Sequence, residues 1–416
     1  MLCIGTFGDI CPYAGLAESL KKAGYSVTFA THESFREFIT LKDLDYIPIA
    51  GDPVEWFNNG ELLSLVNASS DFIHWMKRLR GMAGELLEDI YDSCLQACRQ
   101  ADAIIYSPLA WVGYSIAEKL QIQSIVACLQ PMTPTTTFPS PWFGANPGLG
   151  KTGNLWTHRI IQHFYWHFNR PSINRWRCSS LGLAPLDWRG PYRTELWKSQ
   201  LFLYGFSNHV VPKPADWPEN HCVTGWWFLA EDQKYKPPQE VQEFILSGSS
   251  PVYIGFGSMP DTNNEQLLEI IIKALEIAGS RGIVQLGKNV AMPGKITPTI
   301  LNTGWVNHDW LFPQMAAAVH HGSASTVAQS LQAGIPTVTV PYAWDQPFWG
   351  LRIAEIGAGT NPIPRKSLTV NNLAAAIQTA LLNTSIKDQC RKLSGLIRME
   401  NGTWNAVNII RRYLGC

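Results

Sequence analysis

Ala316-Ala317-Ala318-Val319-His320-His321-Gly322-Ser323-Ala324-Ser325-Thr326 runs on through Val327 to Ala333, Gly334 and the apolar Thr337-Val338-Thr339-Val340. The spacing predicts a short strand over 316–319, a small-residue loop over 320–325, a helix over 326–333 stopped by Gly334, and a strand over 337–340. Strand, tight loop, helix and strand in that order form one unit of a parallel sheet. Where a strand passes into a helix, unpaired backbone N–H groups and the helix dipole favour an anion. Gly322 lets the backbone approach an oxygen closely, Ser325 and Thr326 carry hydroxyl donors, and a histidine can donate to a departing phosphate. The segment is a diphosphate cradle in outline, although the same residues would also suit a plain helix cap above a core histidine.

Outward from this stretch, Pro341-Tyr342-Ala343-Trp344-Asp345-Gln346 follows the second strand, which puts Asp345 and Gln346 at a carboxyl end where such sheets bind ligands. Upstream, Phe256-Gly257-Ser258 closes the strand 252–255, and Gly304-Trp305-Val306 closes a later one, bringing a hydroxyl and an indole to the same rim. Trp305 is of a kind that stacks on a base or packs at a core edge. A helix is expected over 265–278 and a strand over 283–286. The N-terminal half repeats the alternation. A strand over 2–5, a glycine-bearing turn over 6–11, a helix with Pro12 near its first turn, and strands over 26–31, 101–106 and 124–128 are expected, with a helix over 112–120. Between 130 and 238 the pattern breaks into Pro- and Trp-rich stretches with one helical section over 155–177, and the polar run 231–239 is the natural linker.

A length of 416 residues points to two cores, and 46% hydrophobic against 16% charged residues describes a globular chain. Lys plus Arg and Asp plus Glu both number 33, so no net field gathers nucleic acid. Nine scattered cysteines suit a reducing cytoplasm, and neither a signal peptide nor a membrane span is evident.

Further marks are Gly5-Thr6-Phe7-Gly8-Asp9 with Pro12, Ala30-Thr31-His32-Glu33, Pro131-Met132-Thr133-Pro134, Thr224-Gly225-Trp226-Trp227-Phe228-Leu229 and Gly255-Phe256-Gly257-Ser258. With the stretch from His320 to Gly350, they make the chain resemble the family 1 glycosyltransferases over nearly its whole length, especially the sterol glucosyltransferases and their antibiotic-modifying relatives. The resemblance implies an α/β protein of GT-B fold, with two Rossmann-like doubly wound domains facing a cleft. The expected division is an acceptor domain over 1–235, a UDP-sugar domain over 236–385, and C-terminal helices over 386–416 that pack back on the first domain.

By the same resemblance, Ser258 and the loop with His320, Gly322, Ala324, Ser325 and Thr326 hold the UDP diphosphate, and Asp345 and Gln346 hold the sugar. Trp305, Val306 and His308 frame the uracil, His321 is structural, and Asp9, on the loop after the first strand, is the base that deprotonates the acceptor hydroxyl. The implied reaction is an inverting, metal-independent transfer of a hexose, glucose first, from a UDP-sugar to a bulky apolar alcohol such as a sterol. No cofactor or obligate protein partner is expected, and the location is cytoplasmic with transient membrane-surface contact. Aromatic-rich loops from Trp142 to Trp197 suit a flat terpenoid, and polyketide or carotenoid alcohols as well.

The chain departs from the family pattern at five positions. Relatives commonly carry Arg at the position of Phe7 and Gly at Ser323 and Ser325, and the sterol enzymes usually carry an acidic residue at Trp305 with Pro at Asn307. The first strand also begins abruptly at Met1. Phe7 and the two loop serines keep one rival in view, a UDP-sugar-binding protein of weak activity, and the shared architecture leaves a second, a UDP-sugar epimerase. Two other motifs carry little. Ala145 to Thr152 imitates a phosphate loop without a preceding buried strand, and Asp43-Leu44-Asp45 reads as a solvated turn.

Overall fold

The computed structural model describes residues 1–52, 84–143, 148–230, 235–257, 259, 264–286 and 294–415. Strands β1 (Thr28–His32), β2 (Asp45–Ile49), β3 (Ala103–Tyr106), β4 (Gln123–Cys128), β5 (Leu201–Tyr204) and β6 (His221–Val223) pair in parallel. The chain start joins them into one sheet. Leu2 bridges Ala30 on one side and Tyr106 on the other, with its N–H donating to the Ile105 carbonyl at 2.8 Å. The first segment therefore lies between β1 and β3, and the following helix, Phe7–Lys22, rises from a reversal of strand order.

The second sheet is built from β7 (Val252–Gly255), β8 (Gly282–Gln285), β9 (Gly294–Thr297), β10 (Ile300–Asn302), β11 (Ala317–His320) and β12 (Thr337–Thr339). Its order is β12-β11-β7-β8-β10-β9, parallel except for the edge strand β9. Strand periodicity sets its two faces. Val252 and Ile254 pack with Ile271, Leu275 and Leu373 on one side, while Tyr253 packs with Leu311, Phe312 and Met315 on the other. Strand β7 has β11 and β8 as neighbours, so a crevice opens at the carboxyl ends of β7 and β11, which is where doubly wound sheets take their ligands.

The last helix, Gly402–Leu414, packs on the helix Phe7–Lys22, and its Ala406, Val407 and Ile410 belong to the first sheet's core. Asn405 Nδ2 donates to the Thr224 carbonyl at 2.9 Å, which ties this helix to the end of β6. Among the described residues, no helix is long and apolar enough to cross a membrane.

Three expectations are corrected. The helix near the N-terminus begins at Phe7, so Pro12 lies inside it and Asp9 occupies its first turn, not a loop. The irregular region after 130 contains β5 and β6, whose short buried runs escaped a periodicity reading. The helix expected over 155–177 starts at Gly150, which places Gly150, Lys151 and Thr152 of the phosphate-loop imitation in helical backbone, while residues 145–147 lie outside the described ones. Asp43 is an exposed turn residue paired with Lys21 at 2.7 Å.

Candidate active site

The crevice beside β11 is organised by one histidine. His320 ends the strand fully buried, and the N–H of Gly322 donates to its Nδ1 at 3.0 Å. A ring nitrogen that accepts carries no proton, so the proton resides on Nε2. Burial, with His321 and His308 nearby, pushes the pKa of His320 well below the ordinary histidine range and keeps the ring neutral. The Nε2–H has no partner among the described residues and is shut away from water. It is a fixed neutral donor, and an unmet buried donor of this kind costs about 1–3 kcal/mol until something accepts from it.

The loop next to it needs its glycine. Gly322 has φ +92°, and a Cβ there would stand 3.1 Å from the Gln346 carbonyl. Ser323 is the N-cap residue of the helix Ala324–Ala333, and its hydroxyl pairs with that of Thr326 at 2.9 Å. The free first-turn amides begin at the buried Ala324. Ser325 faces the other lobe, where a Cβ on Gly8 would meet its Oγ at 3.1 Å. His321 packs under the β7 loop, 3.1 Å from where a Gly257 Cβ would lie, with its pKa lowered by burial to about 4. Ser258 lies outside the described residues.

Asp345 and Gln346 begin the helix Gln346–Glu355 and do different things. Gln346 is buried and folds back on its own turn. Its Oε1 accepts from the N–H groups of Tyr342 at 2.8 Å and Ala343 at 3.2 Å, and its Nε2 donates to the Met259 sulfur at 3.3 Å. Asp345 Oδ2 accepts from the indole N–H of Trp349 at 2.9 Å. Burial first, and then the charge of Asp9, push the Asp345 carboxyl up to about 6, against the lowering effect of the indole.

The base-framing set also divides. Trp305 stands exposed on the rim, edge-on to Phe7 at 6.1 Å and to Tyr235 at 6.2 Å, so it bridges toward the facing lobe. Val306 is fully buried in the core. His308 is held at both nitrogens, Nδ1 to Gln329 Oε1 at 2.9 Å and Nε2 to the Tyr253 hydroxyl at 3.0 Å, and it stacks on Phe312 at 4.3 Å. These two residues support the rim from beneath.

Asp9 faces this assembly from the first lobe. It is the third helical residue, and its Oδ2 accepts from the Thr6 N–H at 2.9 Å and the Thr6 hydroxyl at 3.2 Å in a capping box. Gly5 makes room for it, since a Cβ there would lie 2.5 Å from Asp9 Oδ2. Burial raises the Asp9 pKa above the usual aspartate value, while the two Thr6 bonds act against that rise. Phe7, beside it, packs on Phe38 at 5.0 Å.

The fold therefore brings together Asp9, Asp345, His320 and the 322–326 loop around one cleft, with Gln346, Val306 and His308 as supports. Sequence reasoning passed over Trp349, whose signal was its one-turn spacing from Asp345 on a helix. The aromatic stretch 142–197 does not line one pocket. Trp166 and Trp176 are core residues, whereas Trp156 and Trp188 point outward, 59% and 55% exposed. Among the described residues, no three His, Cys, Asp or Glu side chains gather as a metal ligand set.

Comparison with known proteins matches residues 1–139 to the glycosyltransferase family 28 N-terminal domain and residues 283–398 to the erythromycin biosynthesis protein CIII-like C-terminal domain. The sterol 3-beta-glucosyltransferase UGT80B1 of Arabidopsis thaliana is 35% identical over 100% of this chain and 68% of its own length. The sterol 3-beta-glucosyltransferase of Pichia angusta is 33% identical over 99% of this chain, which spans only 33% of that protein. Among solved structures, the glycotransferase of kitacinnamycin superposes with a TM-score of 0.70 at 19% identity, covering 100% of this chain and 98% of its own. The glycosyltransferase VinC, in complex with DTDP, gives 0.64 at 16% identity, covering 100% and 99%. These likenesses to structures are of fold, the two-lobed GT-B arrangement.

Proposed function

The chain belongs to the sterol 3-beta-glucosyltransferase family of glycosyltransferases, and on that footing we propose that it transfers a hexose, glucose first, from a UDP-sugar to the hydroxyl of a bulky apolar alcohol such as a sterol. The observation that carries the reading is His320, whose buried Nε2–H waits for an acceptor beside helix amides at the crevice of the second sheet. A diphosphate supplies that acceptor.

In this reading the acceptor oxygen attacks the anomeric carbon in line with the bond to UDP. The carbon–oxygen bond to the diphosphate breaks, the acceptor proton passes to Asp9, and the sugar emerges inverted. Thr6 fixes the orientation of the Asp9 carboxylate, and its raised pKa makes it a stronger base than a solvated aspartate. Charge developing on the leaving diphosphate is met by the His320 Nε2–H, the amides from Ala324 onward and the Ser325 and Thr326 hydroxyls, with no metal ion required. Asp345 accepts from sugar hydroxyls, and Trp305 covers the base from the rim. Residues 1–235 form the acceptor domain and 236–385 the donor domain, with 386–416 returning to the first, a division supported by the membership of the two sheets and by the Asn405 hydrogen bond.

Calorimetry with UDP tests the carrying observation. The parent protein binds, His320→Ala weakens binding by about ten-fold or more, as expected for a hydrogen bond to a charged group, and equal affinities would overturn the reading. Product analysis with UDP-glucose and a panel of sterols and polyketide alcohols then identifies the acceptor class. A second reading, sugar-nucleotide binding without transfer, draws support from Phe7, which occupies the rim with Phe38 and Trp305, and it predicts UDP affinity with no glycoside formed on any acceptor. An apolar acceptor also brings the protein to membrane surfaces. The exposed Trp156, Ile160 and Trp188 support that contact, and co-sedimentation with lipid vesicles tests it.

A further inference from the structure

Trp349 is a residue of the second lobe's helix that lies in the first lobe's core. Its side chain is fully buried, with ring centroids 5.4 Å from Trp226 and 6.1 Å from Phe206. Those two partners follow β6 and β5 in the first sheet. At its other end, the indole N–H donates to Asp345 Oδ2 at 2.9 Å, and the Trp349 backbone N–H donates to the Asp345 carbonyl at 3.1 Å. One side chain thus touches the carboxylate assigned to the sugar and the hydrophobic interior of the facing lobe.

We propose that Trp349 is a positioning residue for donor-sugar recognition, aiming the Asp345 carboxylate through its indole N–H while its ring anchors that carboxylate to the first lobe. An aspartate at a helix N-cap can swing among rotamers, and several of these turn it toward its own first-turn amides. A buried indole donor selects one of them and occupies one oxygen, which leaves the other for the hexose. The ring is immobile because aromatic residues of the other lobe surround it, so the grip on the sugar depends on the two lobes being docked. Phe348 strengthens the same joint, packing on Phe138 at 5.5 Å, as does Arg352, which donates to the Val210 carbonyl. The inference rests on the assignment of Asp345 to the sugar, so the test separates the two.

Trp349→Phe keeps an aromatic ring in the core and deletes the donor. The smaller ring is expected to lower the melting temperature somewhat, while UDP affinity stays near the parent value, because UDP carries no hexose. The KM for UDP-glucose is expected to rise about ten-fold, or kcat to fall by that factor, since the lost bond is to a charged oxygen. The acid limb of kcat/KM moves to higher pH, because the indole favours the ionised carboxylate. Asp9, on the Phe7–Lys22 helix, presses its charge on Asp345 from across the cleft, and it is unchanged in the variant. Unchanged KM, kcat and acid limb in Trp349→Phe would overturn the positioning role, as would an equal loss of UDP and UDP-glucose affinity, which marks a purely structural residue. Asp345→Asn is the second arm. If it leaves UDP-glucose binding intact, the sugar assignment itself fails, whereas a loss there with none in Trp349→Phe removes the positioning role alone.

Discussion

Two partly buried carboxylates, Asp9 and Asp345, feel one another across the cleft, and each costs the fold something before it serves any ligand. Asp345 titrates near 6 in the folded protein because of burial and the nearby Asp9, against about 3.9 in an unfolded chain. The sign follows directly. Below about pH 4 both states are protonated and no cost arises; it grows as pH rises between the two values and is complete above about 6. Its ceiling is about 3 kcal/mol, and partial solvent access lowers it. Asp345→Asn is therefore expected to raise the melting temperature of the ligand-free protein at pH 7.5 and to leave it unchanged near pH 4, as thermal denaturation at the two pH values will record. Asp9→Asn retains the Thr6 contacts and loses the proton acceptor. Turnover of a sterol acceptor is expected to fall by about 10²-fold or more while UDP affinity holds, as a steady-state assay run beside calorimetry will show.

At the scale of elements, the strand-loop-helix of the donor side depends on a backbone turn that only glycine makes cheaply. Gly322→Ala forces a Cβ into a left-handed conformation and against the Gln346 carbonyl, so it is expected to cost about 1–3 kcal/mol and to weaken UDP binding along with stability, as denaturant titration and calorimetry will register. This junction was legible in the sequence because strand, glycine and helix stop are local signals. The helix Val112–Leu120 and strand β7, Val252–Gly255, were read to the residue for the same reason. Elements that tertiary packing decides were not. Strands β5 and β6 are too short to show a period, and they exist because β4 offers Leu201–Tyr204 a parallel partner. Asp9 was assigned to a loop because Pro12 suggested a helix start. The Thr6-x-x-Asp9 spacing, a capping box, carried the correct signal three residues earlier.

At the scale of the whole molecule, the candidate site residues follow strand ends that local sequence signals reveal, whereas the contacts between lobes have no such signal. Trp305 meets Phe7, Ser325 meets Gly8, and Trp349 meets Trp226, three contacts that pair residues distant along the chain. No local pattern encodes them. The return of the C-terminus completes this joint: Gly402 opens the last helix so close to the first lobe that a Cβ would lie 2.4 Å from the Trp226 carbonyl oxygen and 2.5 Å from the Gly225 carbonyl carbon. Backbone on both sides cannot yield as a flexible side chain would. Gly402→Ala is expected to cost about 1–3 kcal/mol through overpacking, visible as a lower melting temperature. Because the helix Gly402–Leu414 rests on the helix Phe7–Lys22, which carries Asp9, hydrogen exchange should quicken in both together, while amides of β7 and β11, inside the second sheet, keep their protection. Quickening confined to the last helix would mean that the joint does not couple the C-terminal return to the proposed base.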